Sequence, residues 1–177
     1  MSYREIIDGV ATVLSGSDER DVQRLVSIAD SAQRIFIAGA GRSALAARFF
    51  AMRLMHCGYT VYVVGEIVTP SVAAGDVLVV LSGSGSTETL LALARKGGAA
   101  GARIVLVTAS PGSPIAALAG DVMLLGADGS TKSRHGMPMG TLFELSALIF
   151  LESVVYQIIR HKGLTEEHLR ARHANLE

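Results

Sequence analysis

Cysteine, tryptophan and charge are all scarce in this sequence. Its 177 residues include one cysteine, no tryptophan, and 16 basic against 16 acidic side chains, so only 18% are charged. The single cysteine, Cys57, excludes a disulfide scaffold. Half of the residues are hydrophobic, which excludes an intrinsically disordered chain. Balanced charge without a basic stripe excludes non-specific nucleic-acid binding, so we expect no nucleic-acid partner.

Uncharged hydrophobic runs long enough to cross a membrane are lacking as well. A span needs roughly 20 apolar residues, and the longest apolar stretches are broken by Arg48 and Arg53 and by Glu144 and Glu152. Residues 1–5 do not have the pattern of a signal peptide. We therefore expect a cytoplasmic protein with no membrane partner.

The hydrophobic content is nevertheless higher than one subunit of this size should bury. The excess lies in the first and last helical patterns and around Phe49, Phe50 and Met52. Exposed apolar surface of this kind indicates contacts between subunits, so we expect a homo-oligomer with contacts at these places.

Short apolar runs alternate with helical patterns along the chain. Strands are predicted at 34–38, 60–64, 76–81, 103–108 and 121–125, and helices at 3–15, within 18–31, and at 43–57, 86–97, 113–119 and 140–161, with a last short helix after Thr165. This alternation predicts an α/β fold with a doubly wound, five-stranded parallel sheet between layers of helices. We expect one domain over residues 1–177, with N-terminal helices at about 3–31, the sheet core at about 33–125 and C-terminal helices at about 140–173.

Two of the predicted strand-to-helix connections are rich in glycine and hydroxyl residues. Gly39-Ala-Gly-Arg-Ser43 follows the first strand, and Ser82, Gly83, Ser84, Gly85, Ser86 and Thr87 follow the third. Ligands of doubly wound sheets bind at the carboxyl ends of the strands. Free N–H groups at a helix start suit an anion, and glycine lets the backbone approach it closely.

A tight turn explains some of these residues without any ligand, because turns favour glycine and serine. Six consecutive small or hydroxyl residues exceed what a turn needs. A bound phosphate group explains both connections together.

The first connection also fits a dinucleotide fingerprint, as Gly39-x-Gly41-x-x-Ala44, with Glu66 placed where a ribose-binding acid could lie. A nicotinamide-dependent dehydrogenase is therefore an alternative. Such an enzyme does not need the second, hydroxyl-rich connection.

Glu144 is the strongest candidate for a catalytic acid or base. It lies about one turn into the long apolar helix, among almost entirely apolar neighbours. A carboxylate in such surroundings is paired, protonated or functional, and an ion pair at the helix surface is the simpler explanation. Glu152, eight residues later on roughly the same helix face, is the second choice.

Other polar residues carry weaker signals. His56 could act in catalysis or simply pack at a helix end, and Arg42 could clamp a phosphate or hydroxyl or be a solvated charge. Lys132 and Arg134 are expected to be solvated. No group of His, Cys, Asp or Glu has the spacing of a structural zinc site, so we expect no metal.

The sequence resembles the sugar isomerase (SIS) domain family, and within it a branch whose members isomerise hexulose phosphates. The matching stretches are Gly39–Ser43, Phe50–His56, Val64–Glu66, Thr69–Pro70, Ser82–Gly85 with Thr87, Pro138–Gly140 with Phe143–Glu144, and Arg172–Glu177. They occur in order over nearly the whole chain. Ala44 departs from the pattern, which usually has glycine there.

The resemblance implies interconversion of 3-hexulose 6-phosphate and fructose 6-phosphate, in the ribulose monophosphate route of formaldehyde fixation. It implies phosphate binding by Ser43 and Ser82–Thr87, Glu144 as proton acceptor, a tetramer, and a hexulose-phosphate synthase as pathway neighbour. Arg42 and His56 are candidates for stabilising the enediolate. Proton transfer between adjacent carbons needs no cofactor.

A non-catalytic phosphosugar-binding SIS module is the other alternative. Such modules usually accompany a DNA-binding domain, and we expect no room for one in this chain.

Overall fold

Five parallel strands form the centre of the structure, a computed structural model that describes residues 2–126 and 137–176. The strands are β1 (Ile35–Gly39), β2 (Val61–Val63), β3 (Val77–Leu81), β4 (Arg103–Thr108) and β5 (Asp121–Leu124). The helices are α1 (Tyr3–Ser15), α2 (Arg20–Ser31), α3 (Gly41–His56), α4 (Glu88–Ala99), α5 (Thr141–Lys162) and α6 (Glu166–Arg170). The predicted α/β fold with a five-stranded parallel sheet is therefore confirmed.

The strand order places a ligand crevice at the centre of the sheet. The order is β2-β1-β3-β4-β5, so the chain moves from β1 to one side and then returns to add β3 on the other. Such a reversal leaves an opening between the two connections that leave the strands' carboxyl ends. Both glycine- and hydroxyl-rich connections, after β1 and after β3, begin at this point.

Alternating side chains of the strands enter two separate cores. On one face, Ile37 and Val79 belong to a large apolar cluster that also contains residues of α1, α2, α3 and α5. On the other face, Phe36 and Val80 pack with residues of α4 and with Ile115. Because both faces of the strands are covered, the strands are continuously apolar rather than alternating.

The predicted helix at 113–119 is wrong, because this segment forms turns. It makes a few helix-like hydrogen bonds, such as Ala117 N–H to the Ser113 carbonyl at 3.1 Å. Pro114 offers no N–H, and the N–H of buried Ile115 donates instead to the Gly85 carbonyl at 3.0 Å. A segment this short cannot offset the cost of helix nucleation once its donors are used elsewhere.

Ion pairs hold the end of the sheet opposite the crevice. The Asp76 side chain, 1% exposed, accepts hydrogen bonds from Arg34 Nε at 2.9 Å and from the Ala73 N–H at 2.8 Å. The hydrogen bond from Arg34 holds the pKa of the Asp76 carboxyl below its usual value. A lowered folded-state pKa stabilises the fold above the ordinary carboxyl pKa, and this stabilisation is lost as the pH falls through the lowered value.

The long helix α5 meets the length and hydropathy expected of a membrane span. Its most apolar 18-residue window has a mean hydropathy of 1.7, and half of that window is buried inside the domain. The helix packs against α1, α2 and α3. Core helices of soluble proteins have the same properties, so α5 by itself is weak evidence for a membrane.

Helices α1, α3 and α5 leave large apolar side chains exposed. Phe49 and Met52 on α3 are 42% and 47% exposed, and Ile7 on α1 and Ile149 on α5 are also exposed. Phe50 differs, because only 2% of it is exposed and it belongs to the core of its own chain. The expectation that Phe50 lies at a subunit contact is therefore wrong.

Candidate active site

A cavity of about 200 Å³ lies at the carboxyl ends of β1 and β3. Its lining combines the two predicted connections with the start of α5: Ala40, Ser43, Leu81, Ser82, Gly83, Ser84, Thr87, Leu90, Gly140, Phe143 and Glu144. The structure thus brings the candidate anion-binding residues and the candidate base into one cavity.

The connection after β3 supplies hydroxyl groups and a helix start. Ser82 is buried, and its Oγ accepts a hydrogen bond from the Gly85 N–H at 3.2 Å. Thr87 is the residue before α4, and its side chain makes no capping hydrogen bond. Its hydroxyl and the first N–H groups of α4 are thereby left to face a ligand, at the positive end of the helix dipole.

The connection after β1 supplies a second helix start. Ala40 precedes α3 and has no side-chain oxygen with which to cap it. Helix α3 begins at Gly41, two residues before the predicted start, so Ser43 lies in its first turn and lines the cavity. Two uncapped helix starts facing one cavity suit an anion such as a phosphate group.

Glu144 closes the cavity from the α5 side. Its side chain is 16% exposed and accepts a hydrogen bond from Nε of Arg42, whose own side chain is 60% exposed. The carboxylate is therefore paired, one of the states expected for it in apolar surroundings. Glu144 also lines a second cavity of about 250 Å³ whose other lining residues, Arg42 apart, are apolar. The carboxylate thus lies between the cavity lined by hydroxyl residues and a mainly apolar one.

The ring of Phe143 fixes the distance between the β3 connection and Glu144. A Cβ atom on Gly83 would lie 2.9 Å from Cδ1 of Phe143, closer than real Cβ contacts occur. Only glycine therefore lets the buried Phe143 ring lie against the connection. The next residue along α5 is Glu144, so this contact lies directly beside the residue that carries the carboxylate.

The model of the SIS domain family matches residues 27–147 of the chain. The chain belongs to the SIS domain family. The matched range includes both connections and Glu144, and so all the residues that line the cavity of this SIS domain.

Several relatives of this SIS domain cover almost the same length. The chain is 49% identical to the 3-hexulose-6-phosphate isomerase of Methylomonas aminofaciens, over 99% of this chain and 98% of the relative. It is 41% identical to the enzyme of that name from Mycobacterium gastri, over 96% of this chain and 87% of the relative. A hypothetical protein of Methanococcus jannaschii, whose crystal structure was used to infer a function of 3-hexulose-6-phosphate isomerase, superposes with a TM-score of 0.87. That protein is 35% identical, over 97% of each chain.

Not every predicted site residue of this SIS domain lies at the cavity. Gly85 and Ser86 belong to the β3 connection but do not line the cavity. Gly85 has a φ of +58°, and a Cβ atom there would lie 2.0 Å from Ser113 Oγ, so glycine is needed for the turn itself. For Gly85 the explanation from turn geometry is therefore sufficient.

His56 lies far from Glu144 within one chain. It ends α3, fourteen residues after Arg42, which corresponds to about 21 Å along the helix. The His56 ring is buried and stacked on His173, with 5.2 Å between the ring centres. Burial is the main cause that lowers the pKa of His56, with smaller effects of His173 and Arg53. A catalytic role for His56 stays a prediction, and it would require a second chain.

Other candidates fall away from the cavity or outside the described residues. Glu66, the suggested ribose-binding acid, is absent from the cavity lining and pairs with Arg48 at 2.7 Å. Lys132 and Arg134 lie outside the residues that the structure describes. Within 2–126 and 137–176, no three His, Cys, Asp or Glu side chains are grouped so that they could hold a metal ion.

Sequence reasoning missed two residues that shape the site. Phe143 belongs to a stretch that carries the family resemblance, but its contact with Gly83 is not predicted. Gly83 in the β3 connection is the one local signal that a neighbour comes close. Thr108 ends β4 and donates from Oγ1 to the Gly83 carbonyl at 3.2 Å. Its role depends on which strand lies beside β3, which no local pattern indicates.

Proposed function

We propose that this protein is an isomerase that interconverts 3-hexulose 6-phosphate and fructose 6-phosphate. One observation carries the proposal: a single cavity contains both an anion-binding lining and a carboxylate, Glu144. The similarity at 49% identity to an isomerase of this name supports the choice of substrate. A module that only binds phosphosugars does not need a carboxylate beside the sugar carbons, so the site favours an enzyme.

The phosphate group is assigned to the side of the cavity formed by the two helix starts. Ser43 lies at the start of α3, while Ser82, Ser84 and Thr87 lie before α4. Gly83 lines the same side of the cavity, whereas Gly85 and Ser86 are absent from its lining. Neutral O–H and N–H donors with two helix dipoles can hold a dianion without a lysine. Binding energy from this distant group holds the reacting carbons in position.

Glu144 is assigned as the group that transfers the proton. In the direction of fructose 6-phosphate, its carboxylate takes the proton from C2 of the 3-hexulose, and the C3 carbonyl oxygen gains negative charge. The resulting cis-enediolate receives the proton at C3, while the hydroxyl proton moves from O2 to O3. One carboxylate serves both steps, because C2 and C3 are adjacent.

Arg42 is assigned to stabilise the enediolate oxygen. Its guanidinium contacts the Glu144 carboxylate and is itself largely exposed, so a substrate oxygen beside that carboxylate would lie within reach of its positive charge. A positive charge beside an oxygen that gains negative charge lowers the barrier. His56 would share this task only if a second chain brought it to the cavity.

The reaction fits between a step that makes 3-hexulose 6-phosphate and the common pool of fructose 6-phosphate. We assign it to the ribulose monophosphate route of formaldehyde fixation, with a hexulose-phosphate synthase acting before it. Soluble phosphosugars at both ends agree with a cytoplasmic location. Half of the apolar window of α5 is buried inside the domain, so packing accounts for part of its apolar character.

An isomerase assay on two substrates tests the proposed function. The purified protein is given 3-hexulose 6-phosphate, and fructose 6-phosphate is measured with a coupled dehydrogenase. Arabinose 5-phosphate, a substrate of the same chemical class, is tested beside it. We expect turnover of the hexulose with a kcat of at least about 1 s⁻¹ and a much lower kcat/KM on the pentose. Turnover of the pentose alone, or of neither sugar, would contradict the proposal.

The exposed apolar face of α1, α3 and α5 is assigned to contacts between copies of this chain, in a tetramer. A continuous apolar groove of about 420 Å³ runs between α1 and α5 on this face and supports the assignment. Light scattering after gel filtration is expected to give about four times the chain mass of 18.5 kDa. A monodisperse species at the mass of one chain would refute it.

A further inference from the structure

Three donors converge on the carbonyl oxygen of Gly83. The Ala109 N–H donates to it at 3.2 Å, Thr108 Oγ1 at 3.2 Å and Ser110 Oγ at 3.1 Å. Thr108 Oγ1 also accepts the Ser110 N–H at 3.1 Å, so this buried hydroxyl is satisfied as donor and as acceptor. The peptide that joins Gly83 to Ser84 is therefore held from one side by the end of β4.

The position of this carbonyl determines where the next N–H points. A trans peptide is planar, with its C=O and N–H directed to opposite sides. Because the Gly83 carbonyl points toward the residues after β4, the Ser84 N–H points away from them. Within the described part of the chain, this N–H donates to no acceptor.

The strand order identifies what lies in that direction. β3 has β4 on one side and β1 on the other. An N–H directed away from β4 therefore faces the β1 side, where Ala40 and Ser43 line the cavity together with Gly83 and Ser84. The free donor is directed at the space assigned to the substrate phosphate.

Packing at the end of β4 does not by itself require hydroxyl groups at these two positions, although the Thr108 hydroxyl also accepts the Ser110 N–H. Thr108 is fully buried at the end of a strand, where valine would fill the same space and is a good strand former. With valine at 108 and alanine at 110, the Gly83 carbonyl would keep only the Ala109 N–H. The peptide would then be less restrained, and its N–H less well directed.

We propose that Thr108 and Ser110 are positioning residues that aim the Ser84 N–H at the substrate phosphate through the Gly83–Ser84 peptide. The inference rests on the proposed function, because it assumes that the anion in the cavity is the phosphate of the sugar. Neither residue lines the cavity, so each acts only through this peptide.

The proposal is tested with three variants: Thr108→Val, Ser110→Ala and the double variant. Their phosphate affinity and steady-state kinetics are compared with those of the parent. Binding of inorganic phosphate is measured by calorimetry. KM and kcat are measured with 3-hexulose 6-phosphate as the substrate. Loss of one hydrogen bond should weaken phosphate binding and raise KM by about threefold to tenfold, and more in the double variant. kcat should change less than twofold, since Glu144 is not moved. Thr108→Ser keeps the hydroxyl and should restore both values.

Thr69→Val is the matched control. Thr69 Oγ1 donates to the Val63 carbonyl at 2.7 Å in the connection after β2, and Thr69 does not line the phosphate cavity. This variant should leave phosphate binding unchanged. Melting temperatures separate loosened folding from lost positioning, and Ser110→Ala carries the test if Thr108→Val does not fold.

The outcomes distinguish the inference from the proposed function. Parent-like phosphate binding and KM in the double variant of an active isomerase would overturn the inference alone. The proposed function alone would be overturned if the parent protein bound phosphate but did not isomerise 3-hexulose 6-phosphate, while the variants bound phosphate more weakly than the parent. Parent protein that binds neither phosphate nor phosphosugar would overturn both.

Discussion

Replacing the Glu144 carboxylate with an amide should reduce isomerase turnover by about 10²–10⁴-fold, the usual contribution of a positioned general base. An amide cannot accept the proton from C2, whereas its oxygen can still accept the hydrogen bond from Arg42 Nε. The cavity shape is retained, so KM for 3-hexulose 6-phosphate should stay within a fewfold of the parent value. The measurement is steady-state kinetics of Glu144→Gln, with protein concentration high enough to detect residual turnover.

Isotope exchange makes the same experiment specific for the proton-transfer step. In deuterated water the parent enzyme should place deuterium on the reacting carbon of the sugar when the proton on Glu144 exchanges with solvent. Glu144→Gln should lose this incorporation together with turnover. Loss of turnover with incorporation intact would indicate that another group removes the proton.

Glu152→Gln is the matched control, since it makes the same chemical change two turns later on α5. Glu152 is about half exposed, lies 3.8 Å from Arg53 Nε and is absent from the cavity lining. Its turnover should equal that of the parent. Parent-like activity of Glu144→Gln beside an inactive Glu152→Gln would reverse the assignment of the base.

The sequence predicts the architecture because the decisive signals are local. Continuous apolar runs separated by helical patterns force a parallel sheet, and β4, for example, has the bounds expected from its residues. The meeting of the two glycine- and hydroxyl-rich connections is equally predictable, since parallel strands bring their carboxyl ends to one edge. Glu144 is conspicuous because a lone carboxylate in an apolar helix needs a partner or a task.

Features that depend on tertiary neighbours are not predictable in this way. The 113–119 segment has a helical composition, yet the Ile115 N–H donates to the Gly85 carbonyl. This contact between two connections overrides the helix propensity of the segment. Thr108 can hydrogen-bond to the Gly83 carbonyl only because β4 lies beside β3. Glycine is needed at position 83 because the Phe143 ring packs against it. His56 and Arg42 are both candidates for stabilising the enediolate when judged from the sequence, but the fold separates them by the length of α3.

A methyl group on Gly83 should damage both stability and catalysis. The added Cβ would lie 2.9 Å from Cδ1 and 3.1 Å from Cγ of the buried Phe143 ring, so the ring or the backbone has to shift. Overpacking of this kind costs about 1–3 kcal/mol, which should lower the melting temperature by about 2–12 °C in a chain of this size.

The catalytic effect follows from where the strain is released. If α5 moves to relieve the contact, Glu144 moves with Phe143; if the β3 connection moves, the phosphate donors move instead. A displacement near 1 Å can cost about 10²-fold in rate, so kcat/KM of Gly83→Ala should fall by about one to two orders of magnitude. Steady-state kinetics and thermal unfolding of the same preparation measure the two effects.

A control variant and a compensating one isolate the Phe143 contact as the cause. Gly98→Ala on α4 places its Cβ no closer than 3.9 Å to Ile104 Cγ1, so it should be neutral or slightly stabilising and leave kinetics unchanged. Phe143→Leu removes the ring edge, so in the Gly83→Ala background it should recover part of the lost stability, a non-additive result expected of residues in contact. Strict additivity of the two changes, or a Gly83→Ala protein with parent-like kinetics, would show that this contact does not set the distance between the phosphate donors and the carboxylate.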